Sequence, residues 1–252
     1  MQTFELLNVA TNIGYFMLEQ GAEIYRVEES ITRILKAYGY NEADIYAIPG
    51  SIIVTISDES GRPLTKTRRV LNHETNLDRV DKLNNLSRHI CKSKPTYKQI
   101  NAQIDAIMAR KTYSRFLQVI AYAVIGFSFA IFFKGSIYDA LVASVIALLI
   151  KLIQFALNRL NANNFFMTIL CSAFTAFVAI FAVRFGIADN TDKVIIGALM
   201  TLVPGIALTN CMRDFIAGDF MAGLSRMVEA LLIAAGIAVG VAINLTLLKN
   251  YI

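Results

Sequence analysis

The chain has 252 residues, 56% of them hydrophobic, with a mean hydropathy of +0.52, a net charge of +5 and a pI near 9.1. Its Lys and Arg residues are spread along the chain, with no cluster interleaved with aromatics, so the basic balance does not point to nucleic acid and reads as ordinary membrane-protein basicity. Cys91, Cys171 and Cys211 are odd in number and far apart, which excludes a disulfide framework and zinc-ligand spacing, and no other pattern calls for a metal or cofactor.

Met1 to Gly21 mixes Glu5 and Glu19 with amphipathic spacing rather than a basic start and an apolar run, so it does not read as a signal peptide, and insertion is expected to rely on internal helices. From Thr3 to Gln20, Leu6, Leu7, Ala10, Ile13, Gly14 and Met17 recur at three- and four-residue steps, the stripe of a half-buried helix that Gly21 stops. A second helix is expected from about Ala22 to Tyr38, with Val27, Ile31, Ile34, Leu35 and Tyr38 inward and Gly39 as its C-terminal cap. The period then changes. Asp44 to Ile48, Ser51 to Ser57 and Pro63 to Val70 are short β-branched segments parted by Pro49-Gly50 and by residues 58 to 61, a three-stranded meander. Leu77 to Cys91 and Tyr97 to Ala109 return to helical spacing. The order ααβββαα predicts a small cytoplasmic soluble α+β domain over residues 1–112.

Charged residues make up 17% of the chain, yet 116–133, 160–183, 194–212 and 230–248 contain none. Runs of this length read as membrane spans, since about 20 helical residues cross the hydrocarbon core. About five spans fit residues 113–252, at 116–133, 136–156, 163–184, 193–210 and 225–248, so that the fold class is an α-helical membrane bundle preceded by the α+β domain. Basic residues flanking the spans favour the side that holds the N-terminal domain, including Arg110, Lys111, Arg115, Lys151, Arg159, Arg213 and Arg226, against Lys134, Arg184, Lys193 and Lys249. This bias, with an odd number of spans, places the C-terminus on the periplasmic or extracellular side. Ala140, Ala143, Ser144 and Ala147, and Gly236 with Gly240, form small faces on which helices can pack.

Chemistry concentrates in four places. Pro204-Gly205 predicts a break or kink within a span, where freed backbone groups can hold a polar solute, with Thr209 and Asn210 one turn on; a plain proline kink is the other reading. Arg213 and Asp214 follow at the membrane boundary, and the planar guanidinium of Arg213 suits a substrate carboxylate. Asp139 is either a proton or cation site or the cap of a helix starting near Ser136. Glu23, Tyr25 and Arg26 form either the charged start of a helix or a surface that docks or gates against the membrane part. His73 with Glu74 invites an acid/base reading, but no nucleophile, phosphate-binding glycine loop or ligand set accompanies them, and surface residues in a turn are the simpler account.

Gly21-Ala22-Glu23-Ile24-Tyr25-Arg26-Val27-Glu28-Glu29, Ala47-Ile48-Pro49-Gly50, Asp139-Ala140-Leu141-Val142-Ala143, and Val203-Pro204-Gly205 through Asn210, Arg213-Asp214 and Ala217-Gly218-Asp219 together resemble the threonine/serine exporter family of bacteria. The resemblance implies an inner-membrane exporter of small metabolites, amino acids such as threonine and serine in some members and dicarboxylates such as succinate in others. The fused form of that family has about ten spans, and this chain resembles the short, split form, which implies a second small multi-span membrane protein as partner.

The leading expectation is therefore a subunit of a secondary-active exporter of carboxylate-bearing metabolites, not an enzyme, with a small-molecule substrate, the lipid bilayer and that second protein as partners. A membrane-anchored enzyme or regulatory domain is the alternative, and a homo-oligomeric pore, with higher assembly, a third.

Overall fold

The computed structural model describes residues 1–248 apart from Glu59, His73 and Asn161. The described residues form two compact units, one of residues 1–111 with 208–227 and one of residues 112–207 with 228 onward.

The first unit opens with α1 (Thr3–Glu19) and α2 (Ile24–Ala37), followed by strands β1 (Ala43–Ile48), β2 (Ser51–Ser57) and β3 (Pro63–Arg69), then α3 (Leu77–Ser93) and α4 (Tyr97–Met108). The strands form an antiparallel sheet in the order β1-β2-β3, with Ala47 opposite Ile52 and Ile56 opposite Leu64. Two-residue alternation turns Ile52, Val54 and Ile56 of β2 inward, where they join Leu6, Ile13 and Met17 of α1 and Val27, Ile31 and Ile34 of α2 in one core. The basic strand β3 is satisfied by the polar side of α1. Lys66 bonds to the Asn8 side chain, Arg68 donates to Asn12 Oδ1 at 2.6 Å, and the Arg68 guanidinium lies 3.7 Å from the Tyr15 ring centroid. Asn76 caps α3 by accepting from the Arg79 N–H at 3.1 Å.

The second unit contains α5 (Arg115–Phe132), α6 (Ile137–Arg159), α7 (Asn164–Arg184) and α8 (Thr191–Leu199). Two further helices, α9 (Gly205–Ala217) and α10 (Phe220–Leu247), contribute residues to both units. The core of the second unit is rich in small side chains, with Ala130, Ala140, Ala143, Ala176, Ala179 and Ala198 fully buried. Small residues bring the backbones together. A Cβ on Gly126 of α5 would lie 2.7 Å from the carbonyl oxygen of Ala143 on α6, and one on Gly197 of α8 would lie 2.7 Å from Ala130 Cβ on α5. Gly240 packs against Ser172 and Ile169 of α7, and Asn244 donates to the Ala173 carbonyl at 3.0 Å.

Four helices among the described residues are long and apolar enough to cross a membrane, namely α5, α6, α7 and α10. The stretch 193–210, expected as a span with a break or kink at Pro204-Gly205, is not one of them. The chain there is divided into α8 and α9, with residues 200–204 in tight turns between them. Leu202 N donates to Leu199 O at 2.8 Å, a three-residue closure that tightens the end of α8, and Pro204 has no N–H with which to continue the ladder. Hydropathy alone reads through this break because the run is uncharged.

Candidate functional site

The site is built on the turn between α1 and α2. Gly21 sits at φ +87°, a left-handed conformation that favours glycine, and the turn closes with Gly21 N donating to Leu18 O and Ala22 N to Met17 O. Having closed α1 in this way, the turn has its own two carbonyls left to accept from elsewhere. Asn210 Nδ2 of α9 donates to Gly21 O at 3.4 Å, and Arg226 Nη2 of α10 donates to Ala22 O at 2.8 Å. All of these residues belong to the first unit.

The next residue carries the charge. Glu23 precedes α2 and is 9% exposed; its Oε2 accepts from Arg26 Nε at 2.8 Å, and its Oε1 pairs with Arg213 Nη1. Arg26 is held in turn by the Tyr25 hydroxyl, at 3.2 Å from its Nη2. One acid thus sits between two guanidiniums, one from its own helix and one from α9. The Arg213 side chain is 46% exposed, so one side of its fork still faces outward.

Asp214 lies next to Arg213 and is fully buried. Its Oδ2 is 3.2 Å from Arg226 Nε, and neither carboxylate oxygen has a hydrogen-bond partner of good geometry. Burial pushes its pKa above the ordinary carboxylate value, the nearby Arg226 charge opposes this, and Asp219 adds to the rise. Asp219 is brought back toward Asp214 by the end of α9, where Gly218 at φ +90° lets Asp219 N donate to Asp214 O at 2.9 Å. Glu28, one turn and a half along α2 from Glu23, accepts from Ala47 N at 2.8 Å and fixes the β1–β2 turn; burial raises its pKa as well.

Of the residues singled out in the sequence, the structure therefore brings Glu23, Arg26, Asn210, Arg213 and Asp214 together, with Tyr25 joined through Arg26. Pro204 and Gly205 stand at the break before α9, and Thr209 is exposed on that helix. Glu74 lies in the turn before α3 and donates its N–H to Glu19 O at 2.9 Å; its neighbour His73 lies outside the described residues. Arg226 stands out in the sequence only as one charge, with Asp219 and Glu229, of an unusually charged stretch, and its partners, Asp214 and the Ala22 carbonyl, like the role of the Gly21 carbonyl, are not visible in sequence reasoning.

Asp139 belongs to the second unit and has a different setting. It is fully buried at the start of α6, where its Oδ2 accepts from Ser136 N at 2.9 Å and Asn190 Nδ2 at 3.1 Å. Its Oδ1 accepts from Asp189 N at 2.8 Å and Asn190 N at 2.9 Å. Four N–H donors fill the carboxylate and tie the α6 cap to the start of α8. Among the described residues no group of three or more His, Cys, Asp or Glu side chains is placed to hold a metal ion.

A family model described as "Putative threonine/serine exporter" matches residues 8–248. The chain is 25% identical over 252 residues to the "Probable threonine/serine exporter" of Mycobacterium tuberculosis, covering 99% of this chain and 47% of that protein, so it spans about half of that relative's length. It is 28% identical to the "Probable succinate transporter subunit YjjP" of Klebsiella aerogenes, covering 92% of this chain and 90% of that one. The Escherichia coli K12 protein of the same name is 26% identical, at 93% and 91% coverage. No solved structure matches significantly.

Proposed function

The chain belongs to the threonine/serine exporter family, a family of membrane exporters rather than enzymes, and from that membership we propose that it is one subunit of a secondary-active exporter of small carboxylate-bearing metabolites. It works in the bacterial inner membrane, with the α1–α4 domain cytoplasmic, together with a second small multi-span membrane protein. The substrate class is that of the relatives' names, threonine/serine-type amino acids or dicarboxylates such as succinate.

The observation that carries this reading is the Glu23–Arg213 pair, a little over two turns into the helix that follows the Pro204 break. A guanidinium is the side chain best suited to grip a carboxylate in a plane, and here an internal carboxylate occupies it. A substrate carboxylate reaching Arg213 competes with Glu23, and displacing Glu23 removes the charge pair between the start of α2 and α9. The internal pair thus acts as the gate, opened by the chemical group the exporter carries. The break at Pro204 and Gly205 interrupts the helix, and Thr209 and Asn210 add polar atoms along α9.

Inverted membrane vesicles containing this chain and a candidate small multi-span partner provide the test. Energised vesicles are expected to accumulate radiolabelled threonine, serine or succinate, and to lose about ten- to a hundredfold in rate when Arg213 is replaced by Gln, the scale of one charge-assisted carboxylate contact. Failure to accumulate any amino acid or dicarboxylate ends the proposal, and full activity in R213Q removes Arg213 from it.

A further inference from the structure

The α5–α6 pair carries a site at the end of the second unit that lies away from Asp139. The helices run antiparallel. Gly126 packs on Ala143 and Ala147, the Tyr122 hydroxyl bonds to Gln154 at 3.1 Å, and Arg115 reaches to 5.8 Å from the Phe155 ring, so successive residues back along α5 meet later ones on α6. Arg115, the first residue of α5, and Arg159, the last of α6, consequently share one end. Between them is an open groove of about 470 Å³, with Phe116, Val119, Leu152 and Phe155 along its length and the two arginines at its rim.

No salt bridge among the described residues involves Arg115 or Arg159, and Arg115 lies beside the Phe155 ring. The one acid on α5 or α6 is Asp139, about 30 Å away along α6 and already filled by four N–H donors. A third cation, Lys151, lies two turns deeper with its Nζ 4.6 Å from the Tyr122 ring centroid and 4.9 Å from that of Phe155. The groove therefore presents uncompensated positive charge above an apolar trough roughly 10 Å long, on helices that are themselves candidate membrane spans.

We infer that the α5–α6 groove binds one anionic phospholipid, its phosphate between Arg115 and Arg159 and the upper part of one acyl chain along Phe116, Val119, Leu152 and Phe155. Two guanidiniums repel the cationic end of a zwitterionic headgroup, which selects a lipid with net negative charge. A free phosphate has no use for the apolar trough below the cations, so the ligand is a lipid rather than a dissolved anion. The site shares no residue with the Glu23–Arg213 cluster and does not rest on the transport reading.

Native mass spectrometry of the full chain in detergent, titrated with phosphatidylglycerol or phosphatidylcholine of the same acyl chains, tests this. Phosphatidylglycerol is expected to remain bound where phosphatidylcholine dissociates, and Arg115→Gln with Arg159→Gln to weaken the anionic lipid about tenfold or more. The paired Lys replacements keep the charge and are expected to retain binding, which separates lost affinity from lost folding. Lys134→Gln, at the other end of α5, is expected to change nothing. Equal retention of both lipids, an unaffected double Gln variant, or displacement by millimolar inorganic phosphate each overturns the proposal. So does a double Gln variant whose oligomeric mass changes while its lipid uptake does not, since the groove is then covered by protein.

Discussion

Arg226 Nε lies 3.2 Å from Asp214 Oδ2, and the Arg226 side chain is only 10% exposed beside a carboxylate with no exposure at all. The same guanidinium donates to Ala22 O, so one arginine from the first turns of α10 holds both α9 and the α1–α2 turn. Removing one member of such a pair leaves the other buried and uncompensated. Arg226→Met is expected to cost about 3–5 kcal/mol, and Asp214→Leu with Arg226→Met much less. Thermal unfolding of the purified variants in detergent compares them, and a double variant as unstable as the single one contradicts this account.

The raised pKa of Asp214 has a definite sign. The folded chain keeps this proton at pH values where the unfolded chain, titrating at the ordinary carboxylate value of 3.8, has begun to lose it. Its contribution to stability is fully present below 3.8 and is lost as pH rises through the raised value, with Arg226, Arg213 and Asp219 the charges that set where. Asp58, in the β2–β3 turn, runs the other way. The Ser60 hydroxyl and the Arg62 N–H hold its pKa down at about 2, so its contribution is present above 3.8 and lost as pH falls through about 2. Stability measured against pH is expected to lose the first dependence in Asp214→Asn and the second in Asp58→Asn.

Asp139→Ala removes an acceptor from four N–H donors at once. A loss of about 2–4 kcal/mol is expected, since buried donors to an ionised group are left without partners. Hydrogen exchange reads the local consequence, with faster exchange at the Asp189 and Asn190 amides and little change in α1–α4.

The small faces of the second unit are expected to differ in tolerance. Gly126→Val drives a side chain into the Ala143 carbonyl, and Gly240→Val drives one into α7 within 2.9 Å of Ala173 N, each costing about 1–3 kcal/mol or more by overpacking. Gly236→Ala meets nothing closer than 3.5 Å, at Phe165, and is expected to be nearly neutral. The melting temperatures of the three variants in detergent order these effects, and a neutral Gly126→Val would contradict the close α5–α6 contact.

Much of the fold follows from patterns a few residues long. The stripe of Val27, Ile31, Ile34 and Leu35, the alternation of Ile52, Val54 and Ile56, and the glycines after α1 and α2 locate α1–α4 and the meander to within a few residues. Uncharged runs locate α5, α7 and α10, and α6 is located by its hydropathy despite Asp139 and Lys151, because span length depends only on local apolarity. Apolarity over 193–210 does not register a lost hydrogen bond, so the run by itself marks a span and not its interruption. Pro204 carried that signal, and it marks the division between α8 and α9.

What the sequence could determine by itself was which residues are chemically unusual: Glu23, Arg26, Asp139, Asn210, Arg213 and Asp214 stand out by charge or polarity in apolar surroundings. Their partners were decided only by tertiary structure. Ala22 accepts from Arg226 across 204 positions, and Asp139 from Asn190 across 51. Helical and strand periods extend over a few residues, whereas an ion or a buried carbonyl is satisfied by whatever donor the folded chain delivers within about 3 Å, and that selection has no local signature.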